Sequence, residues 1–348
     1  LLLRYVGVKY LGQAGEIPPP LEDQGPQGLY HPDAPALFDT VGDFLAWAAK
    51  QGRKTEGVGR AVVTVHSTHL AFQQPRVVDA LVRELEKRGL LAVAMVDGGP
   101  DYLVSAKEFQ PQVVIHTCHS SESVAWREAL GAVHLHSIFF RKQSIDQWRP
   151  GIEGLASSEL AFHVIGQELL GAIEPQVGSG TVAGGGSDEA FTPIPERISH
   201  LVDRAAKWIE LALLKNSDKK IAVVYYDREL GKSELMRGSA TGMFMNGPRS
   251  MINVLKQMDE RGYRLRRVPQ DEDDLLLYMQ DHGRQIGVWA PGVLDRLARS
   301  GKAVLIPVEQ YRQWFETKVP AAQRQAVIDR WGPPPGKFLI WENDGEQY

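Results

Sequence analysis

Six of the ten histidines in this chain fall between residues 66 and 136, in three short stretches. These are VHSTH (65–69), IHTCH (115–119) and VHLH (133–136), which carry His66, His69, His116, His119, His134 and His136. Each stretch closes a run of β-branched or aliphatic residues, so each reads as the C-terminal end of a buried strand. Neutral imidazoles, one thiol (Cys118) and hydroxyls on one rim suit a metal ion or a metal-bearing macrocycle, and protonated imidazoles suit carboxylates. Against this stands a plain structural reading, in which each histidine caps its own strand or helix. No pair has the spacing of a zinc finger or a helical metalloprotease motif.

A second group lies in ELAFHVIGQELLG (159–171), where Glu159, His163 and Glu168 recur at spacings of four and five. Glu168 stands near the end of the expected helix, before an apolar pair and Gly171. Negative charge there opposes the helix dipole, so a carboxylate held at that place is a candidate for chemistry, and Glu168 is the residue singled out. A third motif, Gly231-Lys232-Ser233 after the run KKIAVVYYD, imitates the end of a phosphate-binding loop. That loop needs a glycine five positions earlier to aim its N–H groups, and Tyr226 stands there. ATP binding by this chain is therefore not expected.

The elements that must position these residues follow from hydrophobic period and punctuation. The opening run LLLRYVGVKYL reads as a strand, residues 13–36 as a Pro/Gly-rich connection, and 39–51 as a helix. Strands at 61–66, 90–96, 112–116 and 132–136 alternate with helices at 74–88 and 121–130. Residues 156–170 read as a helix, 177–190 as a mobile Gly/Ser-rich loop, and 195–215 as a long helix. A second alternation places strands at 219–227, 263–269 and 302–308 between helices, and the closing run KFLIWENDGEQY is again strand-like. The fold class expected is α/β, with two doubly wound, mostly parallel-sheet units and flanking helices. The expected organisation is an N-terminal connection and helix (1–55), a first α/β unit with the histidine rim (56–150), a helical segment (151–217) and a second unit (218–348). In such sheets ligands sit beyond the C-terminal strand ends, where strand order reverses.

Composition narrows the classes further. The chain has 348 residues and a net charge of -4, with no Lys/Arg-rich block, which removes nucleic acid from the expected partners. Its longest apolar runs are far short of a membrane span. Cys118 is the sole cysteine, so no disulfide framework exists, and a reducing, cytoplasmic setting is expected. The chain opens on Leu1 inside an apolar run and stops in another, so it reads as an interior segment of a longer polypeptide.

Five stretches then fall in a recognisable order: GLYHPDAPALFDTVGDFLAW (28–47), GQELLGAIEP (166–175), KKIAVVYYD with GKS (219–233), RSMINVLKQMDERGYRLRRVP (249–269) and RWGPPPGK (330–337). Together they resemble the large, tetrapyrrole-binding subunits of metal chelatases, both the cobaltochelatase (CobN) type and the magnesium-chelatase H type. The resemblance implies insertion of a divalent metal, cobalt first or else magnesium, into a corrin or porphyrin ring. It further implies ATP hydrolysis on separate AAA+ motor subunits, which accounts for the missing phosphate loop. Glu168 lines up with the acid of the family's PELDG-like stretch, with Gln167 for the proline and Leu170 for the second acid, and would accept pyrrole protons. The histidine-rich strand ends, and GSATGMFMNGPRS (238–250) in place of an LD-containing run, lean toward a haem-uptake branch that would remove iron from haem. A non-catalytic tetrapyrrole carrier is the remaining class.

Overall fold

The computed structural model describes residues 2–17, 27–71, 74–96, 102–117, 124–182, 191–223, 246–283 and 292–348. They form two compact units, Leu1–Leu214 and Lys215–Tyr348. In the first unit the strands are β1 (Leu29–Tyr30), β2 (Arg60–Val65), β3 (Leu91–Val96), β4 (Val113–His116), β5 (Val133–Ser144), β6 (Ile173–Thr181) and β7 (Thr192–Pro193). Its α-helices are α1 (Leu2–Tyr10), α2 (Val41–Lys50), α3 (Ser67–Ala71), α4 (Arg76–Lys87), α5 (Tyr102–Phe109), α6 (Val124–Leu130), α7 (Ile145–Trp148), α8 (Ser157–Leu160), α9 (Gly166–Leu169) and α10 (Pro195–Leu213).

The strands build one seven-stranded sheet in the order β1-β3-β2-β4-β5-β6-β7. The five inner strands are mutually parallel, and β1 and β7 pair antiparallel at the edges. Successive side chains along a strand point to opposite faces, and that period sorts the core into two layers. Ala61, Val63, Val65, Val113, Ile115 and Leu135 pack on one face against Val78, Leu81 and Leu85 of α4 and Ile198, Leu201 and Val202 of α10. On the other face Val62, Val93, Met95 and Val114 meet Phe44 of α2 and Tyr102 and Phe109 of α5. Each such side chain taken fully out of water contributes about 1.5–3 kcal/mol. This is the expected mostly parallel sheet with helices on both faces.

Several local expectations are corrected. The opening run is helix α1, because a short apolar run cannot be assigned to helix or strand by period alone. The Gly/Ser-rich stretch is no loop over its first part: VGSGT lies in β6, buried from Gly178 to Thr181. A Cβ on Gly178 would stand 2.1 Å from Ser137 Oγ, and one on Gly180 2.4 Å from the Phe140 ring. Those glycines let β6 lie close along β5. The rest of that loop, 183–190, lies outside the described residues. Strand β5 runs 12 residues, well past the expected end at 136.

In the second unit the described helices are Gly247–Glu260, Glu272–Gly283, Val293–Arg299, Val308–Lys318 and Ala321–Trp331. The closing run forms only a short hairpin, Glu342–Asn343 with Glu346–Gln347. The second parallel sheet is not formed among the described residues: 219–223, 263–269 and 302–308 carry no strand, and 224–227 lie outside them. A strand needs a neighbour for its N–H and C=O groups. Without one, Val304 is 91% exposed. In YRLRRVP, Arg264 and Arg267 turn instead to Asp218 and Asp274.

Candidate functional site

Chain order within the parallel core runs β3-β2-β4-β5-β6, so the sheet grows to one side of β2 and then to the other. The crevice beyond the C-terminal ends of β2 and β4 is the topological switch point of the sheet, the place where open α/β folds hold ligands. There β2 gives way to His66 and β4 to Thr117. Thr117 ties the two strand ends together: its N–H donates to Thr64 Oγ1 at 3.1 Å, and its hydroxyl donates to the Thr64 carbonyl.

A cavity of about 550 Å³ opens at this point. From the end of β2 and from α3 it receives His66, Thr68 and His69, and from just past β4 Thr117. Phe139, Arg141 and Lys142 come from β5, Ser158 and Glu159 from α8, and Phe162 and His163 from the turn that follows. Phe191 completes the wall. The turn is a π-helical one, Ala161–Ile165, inserted between α8 and α9 so that a single helical run spans the three. Such insertions recur at functional sites because they redirect side chains within an otherwise regular helix.

Each cavity histidine is held by a definite contact. Thr68 N–H donates to His66 Nδ1 at 3.3 Å, and the Thr68 hydroxyl lies 2.8 Å from the same nitrogen. The His69 ring stacks on Phe139 at 6.0 Å with an interplanar angle of 11°, and meets Phe191 edge-on at 6.1 Å. Burial, then the neighbouring charge of His66, pushes the His69 pKa down to about 4. His69 is therefore a neutral imidazole at neutral pH. His163 Nδ1 lies 3.2 Å from Nε2 of His136, which stands behind it.

The five described histidines of these stretches do not all line the cavity. His66 and His69 line the cavity, and His163 joins them from the helical run. His116, His134 and His136 are not on its wall; they are 0%, 5% and 0% exposed, and belong to the interior. By alternation they share the sheet face of Val114, whereas Phe139 of the cavity lies on the face of Ile115 and Leu135. His116 Nε2 and His134 Nδ1 are 2.8 Å apart in a stacked pair. Burial, then the charge of Arg127, lowers all but one of these pKa values in that order: His116 falls well below its usual range and His134 to about 4. His136 falls to about 3 through burial, then the charges of His163 and Arg127. Cys118 and His119 lie outside the described residues, as do Tyr226 and Gly231-Lys232-Ser233.

The carboxylates separate in the same way. Glu168 is exposed on α9 and is not on the cavity wall. Its neighbour Gln167 points inward and accepts from Arg127 Nη2 at 2.9 Å. Glu159 is only 6% exposed and lines the cavity. Its Oε1 accepts from the main-chain N–H groups of Arg141 at 2.7 Å and Lys142 at 3.0 Å. Its Oε2 has no hydrogen-bond partner among the described residues. The sequence signal for Glu159 is its spacing of four from His163, which sets both on one side of a helix.

The motif GLYHPDAP serves a different place. His31, Asp33 and Glu86 bring ligand-type atoms within 4.8 Å of one another, the one such trio among the described residues. Arg53 bonds Asp33 and Glu86 together, Arg83 takes the other oxygen of Asp33, and the His31 ring packs on Trp47 at 4.7 Å. With arginines on the carboxylates, this trio is an ion-pair network that fastens the start of the unit to α4. The cavity itself holds no preformed three-ligand cluster of this kind among the described residues.

Known proteins match this chain along its length. It is 23% identical over 344 residues to the rice magnesium-chelatase subunit ChlH, covering 92% of this chain and 23% of that one. It is 24% identical over 357 residues to the aerobic cobaltochelatase subunit CobN of a Sinorhizobium species, covering 96% of this chain and 26% of that one. The chain thus spans about a quarter of the length of these relatives. The catalytic subunit of cobaltochelatase from Mycobacterium tuberculosis has the same fold over 99% of this chain and 28% of its own, with a TM-score of 0.63 and 19% identity. The family description CobN/Magnesium Chelatase matches residues 1–348, and the chain belongs to that family.

Proposed function

We propose that this chain supplies a tetrapyrrole-handling site to the large subunit of an ATP-dependent metal chelatase, which inserts a divalent metal, cobalt first, into a corrin or porphyrin ring. The observation that carries the reading is the chemistry of the switch-point cavity. Phe139, Phe162, Phe191 and the neutral ring of His69 offer flat apolar faces to a macrocycle. Arg141 and Lys142 on the same wall suit the carboxylate side chains of such rings. His66 and His163 offer imidazole nitrogens to a metal on its way into or out of the ring. Energy would come from AAA+ motor subunits, as the family resemblance implies, and Tyr226 in place of a phosphate-loop glycine accords with ATP being hydrolysed elsewhere.

The imidazoles also favour a second reading on the same site, in which iron is removed from haem. The test uses the full-length protein titrated with a free-base porphyrin and with haem, followed by absorbance. Saturable binding that weakens about tenfold in His66→Ala and His69→Ala is expected. Turnover with the motor subunits, ATP and cobalt or magnesium then separates insertion from removal, and either from a carrier. Absence of binding to both rings would overturn the proposal.

A further inference from the structure

We propose that Glu159 is the proton-accepting carboxylate of this cavity, taking N–H protons from a bound free-base tetrapyrrole as the metal enters. The inference rests on the tetrapyrrole reading above and gives Glu159 the role that the family resemblance implies for Glu168. Three observations lead to it. Glu159 is buried on the wall of the cavity, while Glu168 is exposed and off it. Two main-chain N–H groups of β5, those of Arg141 and Lys142, hold Oε1 and so fix the carboxyl group. The second oxygen, Oε2, is buried without a hydrogen-bond partner among the described residues, and no ion pair there joins Glu159 to the side chain of Arg141 or Lys142.

Buried polar atoms are normally paired, so an oxygen left over in a ligand-sized cavity marks the place of a donor that the ligand brings. The three phenyl rings on the same wall suit a donor carried inside a flat, largely apolar body, and a pyrrole N–H fits. The step balances without a further reagent. The ring gives up two N–H protons as the divalent metal forms its bonds to the ring nitrogens, and each electron pair left behind goes to the metal. Each proton passes to Oε2 to give the neutral acid and is then released to water, which restores the carboxylate for the second. In the removal direction the same acid delivers protons to the ring nitrogens as the metal leaves.

The experiment uses the full-length protein with its motor subunits, ATP, a free-base porphyrin and cobalt, comparing wild type with Glu159→Gln and Glu159→Asp. Gln keeps the oxygen that accepts from Arg141 and Lys142 but cannot take a proton. The expected result for Glu159→Gln is porphyrin binding within about threefold of wild type with turnover lowered about 10²–10⁴-fold. Glu159→Asp, which keeps a carboxylate, should recover part of the rate. Unchanged turnover in Glu159→Gln would overturn the role of Glu159, and so would a rate loss matched by lost porphyrin binding, or a Glu159→Asp rate no better than that of Glu159→Gln. Failure of wild type to bind porphyrin at all would remove the tetrapyrrole reading, and this proposal with it.

Discussion

His116, His134 and His136 carry the strongest electrostatic signature in the first unit, and it is a signature of burial. Their pKa values in the folded chain lie below the ordinary histidine value of 6.5, as does that of His69. A lowered folded value means the unfolded chain binds protons first as pH falls. The stability these groups contribute is complete above about pH 6.5 and is lost as pH falls toward the folded values near 4 and 3. For His134 alone the shift corresponds to an upper figure of about 3 kcal/mol. Thermal unfolding measured from pH 7.5 to 4.5 should show the melting temperature falling through this window, and His134→Asn should flatten the fall. His116→Ala should cost about 2–3 kcal/mol in denaturant unfolding, through the cavity left and the orphaned His134 nitrogen, while ring binding at the cavity persists.

At the scale of elements, two features hold the cavity wall in place. The first is the α4 layer, where Leu81 and Leu85 are fully buried against β2 and β3. Leu81→Ala should destabilise the unit by about 2–5 kcal/mol, read from the urea midpoint. The second is the close approach of β6 to β5. An alanine at Gly180 would drive its Cβ into the Phe140 ring, 2.4 Å away. Gly180→Ala should therefore cost about 1–3 kcal/mol by overpacking, and should weaken ring binding because Phe139, Arg141 and Lys142 lie on the strand that must shift. Pro195, at the first turn of α10, fits the preset backbone angle of proline, which is why that helix begins where the sequence places it.

At the scale of the whole molecule, every described residue of the cavity wall belongs to the unit Leu1–Leu214. Residues 1–214 expressed alone should then fold, and bind a free-base porphyrin with an affinity within about tenfold of the full-length protein. Loss of binding despite a cooperative melt would show that the second unit completes the site. The chain should also bind no ATP at millimolar concentration by calorimetry, because the backbone turn of a phosphate loop is blocked at Tyr226.

The sequence by itself determined the α/β class, the helices α2, α4 and α10, and the strand ends that carry His66 and His116. Period and punctuation are local properties, and these segments obey them without help from distant neighbours. It also determined the family, through GLYHPDAP and RWGPPPGK, although the first of these proves to fasten His31 to Glu86 and not to touch the cavity. What a distant partner decides was not legible. The opening run is a helix where a strand was expected and VGSGT a strand where a loop was expected, since an apolar run takes whichever form its neighbours allow and glycine in β6 serves close packing. The histidines parted company because strand alternation, fixed only once β4 and β5 were in register, sent His116, His134 and His136 to the interior face. Glu159 and Glu168 part for the same kind of reason, one buried on the cavity wall and the other exposed. Two main-chain N–H groups from β5, 17 and 18 residues earlier in the chain, bury and fix one carboxyl group and leave the other in water, and only tertiary structure brings that strand to that helix.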